Sequence, residues 1–249
     1  MIRRISNGWR RFAIQRFARR DFRLDGRTSY VSFTFDDFPR TALTTGGRIL
    51  TDHGVRGTYF VSFRLLGSKS PSGRIASIAD LESLLQHGHE VGCHTFDHLD
   101  GTKVTPVEFE RSIHANRAAL VDSRLGARFG VFAYPLDGPA LPVKRITGPH
   151  FAASRWGGQT FNHDVIDLNL LKAYFLDQRS PATLKKLANL FESNANAGGW
   201  LIFATHDISR EPSEYGCGET YFREVVRLAV ESGARVLPMT NVCAELGLV

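Results

Sequence analysis

A chain of 249 residues, 43% hydrophobic and 11% aromatic, carries enough apolar material for one large buried core, which excludes wholesale disorder. It has no run of eighteen apolar residues and no apolar signal stretch in residues 1–30, and its three scattered cysteines, Cys93, Cys217 and Cys243, exclude a disulfide framework and a CxxC metal site; a cytoplasmic, reducing location is the expectation. The net charge of +6 is local: residues 1–23 hold eight arginines against Asp21, a balance of +7, which leaves the rest at −1 and argues against a nucleic-acid-binding domain.

Residues 1–27 read as a basic segment preceding one domain over 28–249. Arginines alternate there with Ile2, Ile5, Trp9, Phe12 and Phe17 at roughly helical spacing. Such a segment either lies on an anionic membrane, at its inner face, or forms a solvated, self-packing helix, since Arg16 and Arg20 interrupt the stripe.

From Tyr30 onward, β-rich runs alternate with helical patterns. Tyr30–Phe35 and Gly57–Phe63 predict strands, with a helix from about Ala42 to His53 between them that stops at Gly54. Ser77 to Asp80 has the form of a capping box, followed by Leu81, Leu84 and Leu85 on one face and closed by Gly88. Glu90–Cys93 predicts a third strand. Thr105, Pro106 and Glu108 open a helix whose inner face holds Phe109, Ile113 and Leu120. Further strands are predicted at Phe129–Tyr134, Phe151–Ser154 and Leu170–Phe175. Ser180-Pro181 then opens a helix with Leu184, Leu187 and Phe191 inward, ended by Gly198-Gly199. Trp200–Thr205 reads as a strand buried on both faces, Glu219–Ser232 as a helix ending at Gly233, and Arg235–Leu237 as a last strand. About seven strand-helix units predict an α/β fold, a closed or nearly closed barrel of parallel strands, with an open doubly wound sheet as the alternative. Both place chemistry at the strands' C-terminal ends.

Three polar clusters stand there. Asp36 and Asp37 follow the first strand, and adjacent carboxylates repel unless something positive, such as a metal ion, lies beside them. His94 and His98 follow the third strand at a spacing that suits one cation. His206-Asp207 ends the apolar run from Trp200. Each alone has an ordinary structural reading. Together, one carboxylate and two histidines complete a three-ligand metal set, and the remaining carboxylate and histidine are left as base and acid for metal-assisted hydrolysis. The pattern leaves open which aspartate binds metal.

Thr34-Phe-Asp36-Asp37, Gly57-Thr-Tyr-Phe60, Gly88-His-Glu-Val-Gly-Cys-His94-Thr-Phe-Asp-His98, Phe132-Ala-Tyr-Pro135 and Thr205-His206-Asp207 also resemble, in order and spacing, the motifs of the polysaccharide deacetylases, the NodB-homology group or carbohydrate esterase family 4. The resemblance covers roughly residues 28–245. It implies a distorted (β/α) barrel that removes N-acetyl groups from N-acetylated carbohydrate, with a divalent metal, zinc before cobalt. It implies Asp36 as general base, Asp37, His94 and His98 as metal ligands, His206 as general acid, and an oxyanion and substrate contact at Tyr134 and Leu136, through a backbone N–H near Leu136.

The family's third motif usually reads Arg-x-Pro-Tyr, whereas Ala133-Tyr-Pro135-Leu136 stands here. The arginine that orients the base is therefore missing from its place, and Arg155, after the next predicted strand, is the nearest candidate to replace it; otherwise it is a surface or structural residue. Ala204 stands where a larger residue often lines the acetyl pocket, which suggests an altered acyl group. Asp164 and Asp167 are candidates for the aspartate paired with the acid histidine, and Glu214–Glu219 is either a substrate wall or a Gly-rich turn. The sequence thus favours an N-deacetylase of a sugar, oligosaccharide or glycan precursor. Hydrolysis of a non-sugar amide on the same fold and an inactive glycan-binding relative are the alternatives.

Overall fold

The computed structural model describes the backbone from Ile2 and the side chains from Gly8 to Val249; the side chains of Ile2, Arg3, Arg4 and Ile5, which the sequence places in the basic segment, lie outside the described residues. Seven parallel strands, β1 (Tyr30–Phe35), β2 (Thr58–Val61), β3 (Glu90–Cys93), β4 (Val131–Ala133), β5 (Ala153–Gly157), β6 (Leu171–Phe175) and β7 (Trp200–Thr205), pair in sequence order. β7 then pairs back onto β1 from Trp200↔Tyr30 to Thr205↔Phe35. That pairing closes the barrel and removes the open-sheet alternative, because no edge is left between first and last strand. An eighth short strand, β8 (Arg235–Val236), pairs with β1 at Tyr30 and Val31, below the point where β2 joins β1 at Thr34.

Side chains alternate along each strand between lumen and exterior. On β1, Val31, Phe33 and Phe35 pack outward in the larger apolar cluster, while Ser32 points in and accepts a hydrogen bond from Trp200 Nε1 at 3.0 Å. The lumen is narrow and filled by Phe60, Ala133, Ala173, Ile202 and Ala204 among others. Its small residues leave room for one large polar side chain near the top.

The helices are α1 (Ile2–Arg16), α2 (Arg48–Asp52), α3 (Ile78–Gln86), α4 (Pro106–Asp122), α5 (Leu141–Thr147), α6 (Leu184–Asn196), α7 (Glu219–Glu231) and α8 (Met239–Glu245). Capping boxes at Ser77 and Thr105 start α3 and α4, and Phe109, Ile113 and Leu120 are buried as expected. The predicted 42–53 helix begins as a wide turn over Ala42–Gly47, where a Cβ on Gly46 would meet the Phe35 ring at 3.1 Å. α6 starts three residues later than predicted: Thr183, not Ser180, caps it, and Leu184 is on the exposed side while Leu187 and Phe191 are buried. β5 is shifted two residues later than predicted at its start and runs on to Gly157. Arg155 thereby falls inside the strand. α5 and α8 were not anticipated.

Residues 10–24 pack on this barrel. Ala13, Ile14 and Leu24 are buried, and Asp21–Arg23 pairs antiparallel with Val165–Asp167. The buried Lys144 Nζ donates to the carbonyls of Ile14 (2.5 Å) and Phe17 (2.9 Å) and to Asp167 Oδ2 (2.6 Å). Arg20 donates to the carbonyls of Gly148 and Phe151 at 2.8 and 2.9 Å, and to that of Ala152.

Candidate active site

The clusters predicted at the strand ends converge at one mouth of the barrel. After β1 the Asp36 N–H continues the ladder by donating to Thr205 O at 2.9 Å. Asp37 and Phe38 then turn at φ +59° and +56°, a conformation that costs a non-glycine residue energy and persists where the surroundings enforce it. Phe38 is fully buried beneath the turn, and the Asp37 carboxylate is delivered to the mouth.

The loop after β3 is held equally firmly. Ser112 on α4 accepts hydrogen bonds at its Oγ from the Phe96 and Asp97 N–H groups (3.0 and 3.1 Å), and Thr95 Oγ1 accepts one from Leu99 (2.9 Å). Thr95 and His98 both adopt positive φ. The result places His98 Nε2 2.9 Å, and His94 Nε2 3.5 Å, from Asp37 Oδ1.

These three groups fit a divalent cation. His94 Nδ1 lies 2.8 Å from Ala133 O, an acceptor only, so the ring proton sits on Nδ1 and the Nε2 lone pair faces Asp37. Burial keeps that imidazole neutral, with its pKa lowered to about 4. Two acceptors thus face each other at 3.5 Å, and the buried Asp37 Oδ1 is left without a hydrogen bond among the described residues. The ligand atoms of Asp37, His94 and His98 all lie within 4.8 Å of one another. Burial pushes the Asp37 carboxyl up, but contact with His98 and the nearby His94 and His206 more than offset it and hold it ionised.

Asp36, also buried, sits beside this set. Arg155 Nη2 donates to its Oδ1, and the guanidinium lies over the Phe60 ring at 4.6 Å. Burial raises the Asp36 pKa, yet Arg155 first and then His94 and His206 bring it below the ordinary carboxylate value. Arg155 is 1% exposed and fills the top of the lumen. It is register-paired with Ala133 across β4 and β5. The charge absent from the third motif therefore enters the lumen from the residue directly alongside, and Ala133 and Ala204 are small where the arginine needs space. Ala204 is sealed in the lumen and is not among the residues lining the cleft, so the altered acetyl pocket expected from it is not found.

His206 follows β7, its Nε2 3.9 Å from Asp37 Oδ2 and its ring 5.5 Å from that of Tyr215. Its Nδ1 has no partner among the described residues. Neither sequence candidate pairs with it: Asp164 is exposed and bonds His163, and Asp167 is tied to Lys144. Asp207 instead shapes the loop that follows, accepting from Ser213 N (2.8 Å) and Ser213 Oγ (2.5 Å). That loop carries Tyr215 into the wall, which favours the first of the two readings of Glu214–Glu219.

The cleft above these residues has a volume of about 430 Å³. Tyr134 borders it, but its hydroxyl donates to Asn169 O (3.1 Å) and contacts Thr147, neither of which lines the cleft. Leu136, 59% exposed with φ +53°, forms the lip; its carbonyl accepts from Trp156 Nε1 at 3.3 Å. Trp156, Phe175, Lys69 and Arg179 also line the cleft, and Arg179 stacks on Tyr215 at 4.7 Å. The sequence reading missed Lys69, Phe175 and Arg179, though Asp177 and Arg179 in the polar loop just after β6 were a signal for this face of a barrel.

Residues 24–138 match the family model described as polysaccharide deacetylase. Over that segment, just under half of its length, the chain is similar to the polysaccharide deacetylase family. The matched segment holds Asp36, Asp37, His94 and His98, while Arg155 and His206 fall beyond it. A curated relative, peptidoglycan-N-acetylglucosamine deacetylase PgdA of Listeria monocytogenes, is 33% identical over 93 residues, 37% of this chain and 18% of the relative. The chain therefore aligns with under a fifth of that protein. Among solved structures, a family 4 acetyl xylan esterase from Clostridium thermocellum in complex with a cobalt ion superposes with a TM-score of 0.59 at 17% identity, covering 88% of this chain and 92% of the other. A carbohydrate esterase family 4 pseudoenzyme from Bacillus anthracis gives 0.59 at 13% identity, with 89% and 68% coverage. Those likenesses establish the family's barrel as the fold here.

Proposed function

We propose that this chain is a metal-dependent hydrolase that removes N-acetyl groups from an N-acetylated sugar, oligosaccharide or glycan. The observation that carries the reading is the Asp37–His94–His98 set beside an Arg155-held Asp36 in one cleft. Asp37, His94 and His98 would hold the cation, and two imidazoles with one carboxylate suit zinc, with cobalt as substitute. When bound, the ion supplies Lewis-acid polarisation of the acetamide carbonyl and of the attacking water.

The chain's own residues do the rest. Asp36, ionised at neutral pH, accepts the proton of the attacking water at its carboxylate, and Arg155 fixes that carboxylate from inside the lumen. The Leu136 N–H, which has no acceptor among the described residues, donates to the oxyanion that forms on the substrate carbonyl. His206 protonates the departing amine, and acetate and an amino sugar result. Trp156, Phe175 and Tyr215 offer apolar faces for a sugar ring.

Arg155 at the base and Ala204 sealed in the lumen weaken the case for a non-sugar amide, which rested on those two departures. The three cysteines are free and buried, in keeping with the cytoplasmic location we propose, and no described helix is long and apolar enough to cross a membrane. The test is acetate release from N-acetylglucosamine oligomers with zinc or cobalt, against a chelator control. Metal-dependent release is expected; no release from metal-loaded protein refutes the activity and favours a binding role.

A further inference from the structure

α1 and the turn after it present aromatic side chains that no described residue covers. Trp9 is 67% and Phe12 53% exposed, and their rings stack at 5.6 Å; Phe17 is also exposed. The helix is not short of core contacts that such side chains would otherwise make. Its inner face already docks Ala13 and Ile14 on the barrel, and its C-terminal turn is clamped by Lys144. Trp9, Phe12 and Arg16 fall on a second stripe of the same helix, turned away from that inner face. Arg11 and Arg16 are exposed and form no ion pair with any described residue.

Clustered arginines with a single acid among them repel one another unless an anion lies alongside, and exposed aromatic rings gain by leaving water. An anionic bilayer satisfies both at once: the rings enter the headgroup boundary and the guanidinium groups meet phosphate. The remainder of the chain, at −1, offers no such attraction. We infer that α1 is a membrane-docking helix that seats the protein on an anionic phospholipid surface. Its attachment fixes what is brought there. Arg10 Nη1 donates to the carbonyls of Asp137 (2.8 Å) and Pro139 (3.3 Å), and its guanidinium lies 5.8 Å from the Trp156 ring centroid. Trp156 and the neighbouring Leu136 form the lip of the cleft, so docking through α1 holds the cleft beside the lipid headgroups. The docking stands or falls independently of the reaction proposed above.

The test is flotation of the full chain with phosphatidylcholine vesicles, with and without about 30% phosphatidylglycerol, at about 0.1 M and about 0.5 M salt. Binding to the anionic vesicles is expected, weakened by salt and about tenfold or more weaker on neutral ones. Trp9→Ser/Phe12→Ser and Arg11→Glu/Arg16→Glu should each lose about tenfold or more of that binding. Both pairs are exposed, and unchanged circular dichroism would show that the fold is kept. No flotation of the parent chain on anionic vesicles overturns the inference, as does equal binding by parent and both variants. A dimer in sedimentation velocity that disappears in Trp9→Ser/Phe12→Ser also overturns it, by giving the face to a second copy.

Discussion

Arg155 is the residue on which the chemistry proposed for the cleft turns. A carboxylate as buried as that of Asp36 would be driven toward its neutral form, useless as a base, unless a fixed positive charge opposed the desolvation. Removing Arg155 leaves that desolvation uncompensated, so the Asp36 pKa rises and the base is ionised only at higher pH. Arg155→Ala is expected to move the acidic limb of the kcat/KM profile upward and to lower kcat/KM by about 10²-fold or more near neutrality. A merely structural arginine would lower activity without moving the limb. Because Ala133 and Arg155 are register partners, the double change Ala133→Arg/Arg155→Ala is expected to recover much of the rate and return the limb toward its original pH. A double variant as inactive and as shifted as the single one would refute the exchange. Asp36→Ala, by contrast, should lose about 10²–10⁴-fold in turnover while still binding metal, measured by metal content beside rate.

The same residue marks how far the sequence was legible. Asp36, Asp37, His94, His98 and His206 stood out as candidates because they lie in the loops that follow apolar strands, where a barrel presents its chemistry, and the structure brings them to one mouth. Arg155 was visible only as a charge near a predicted strand end, since whether it points into a lumen depends on a one-strand register that sequence does not reveal. Ala204 misled for the same reason: an alanine next to a functional residue looks like pocket, while its inward position is set by closure of β7 on β1. The sequence candidates for a partner of His206 failed because Asp164 and Asp167 are spent on His163 and Lys144, and its Nδ1 has no partner among the described residues.

Among the elements, those with strong local chemistry were readable and those fixed by tertiary contacts were not. α3 and α4 announce themselves through complete capping boxes, but α5 and α8 are seven residues each, too short for a periodic signal. α4 does more than cover the barrel. Its Ser112 accepts two backbone N–H groups of the His94–His98 loop and donates to Asp97 Oδ2 at 3.0 Å. Ser112→Ala leaves the half-buried Asp97 amide unpaired, while the Phe96 N–H keeps its bond to the Ser112 carbonyl, at a cost of about 1 kcal/mol or more. The ligand loop is then free to leave its positive-φ conformation, so zinc affinity is expected to fall together with stability. Isothermal titration would show this as weaker binding at unchanged stoichiometry. Thr105→Ala, at the start of the same helix, offers the contrast: loss of its cap should cost about 1 kcal/mol with zinc affinity untouched. Equal losses of affinity in both variants would mean that helix stability, not the Ser112 contact, governs the loop.

At the scale of the whole molecule, the three proposed ligands come from two loops, after β1 and after β3, with β2 between them in the sheet. A cation bound across them ties together two strands that do not pair with each other, and its binding energy is available only to the folded chain. In the absence of the ion, the folded protein keeps an ionised Asp37 facing the lone pair of His94, an arrangement whose repulsion the ion relieves. Zinc at about a hundred times its dissociation constant should therefore add about 2.7 kcal/mol to the unfolding free energy. For a domain of this length that corresponds to a rise of about 5–10 °C in Tm. The rise should disappear with a chelator and be absent from His94→Ala/His98→Ala, whose Tm would no longer respond to zinc in either direction. Differential scanning calorimetry with and without zinc measures it, and a zinc response of the same size in the double variant would place the stabilising ion elsewhere, for which the partly exposed Glu110–His114–His150 group on α4 and the turn before β5 is the alternative to examine. That group is a poor competitor, since His150 Nε2 already meets Glu110 at 2.9 Å and its Nδ1 faces the Arg117 guanidinium at 3.3 Å, a charge that opposes any cation drawn there.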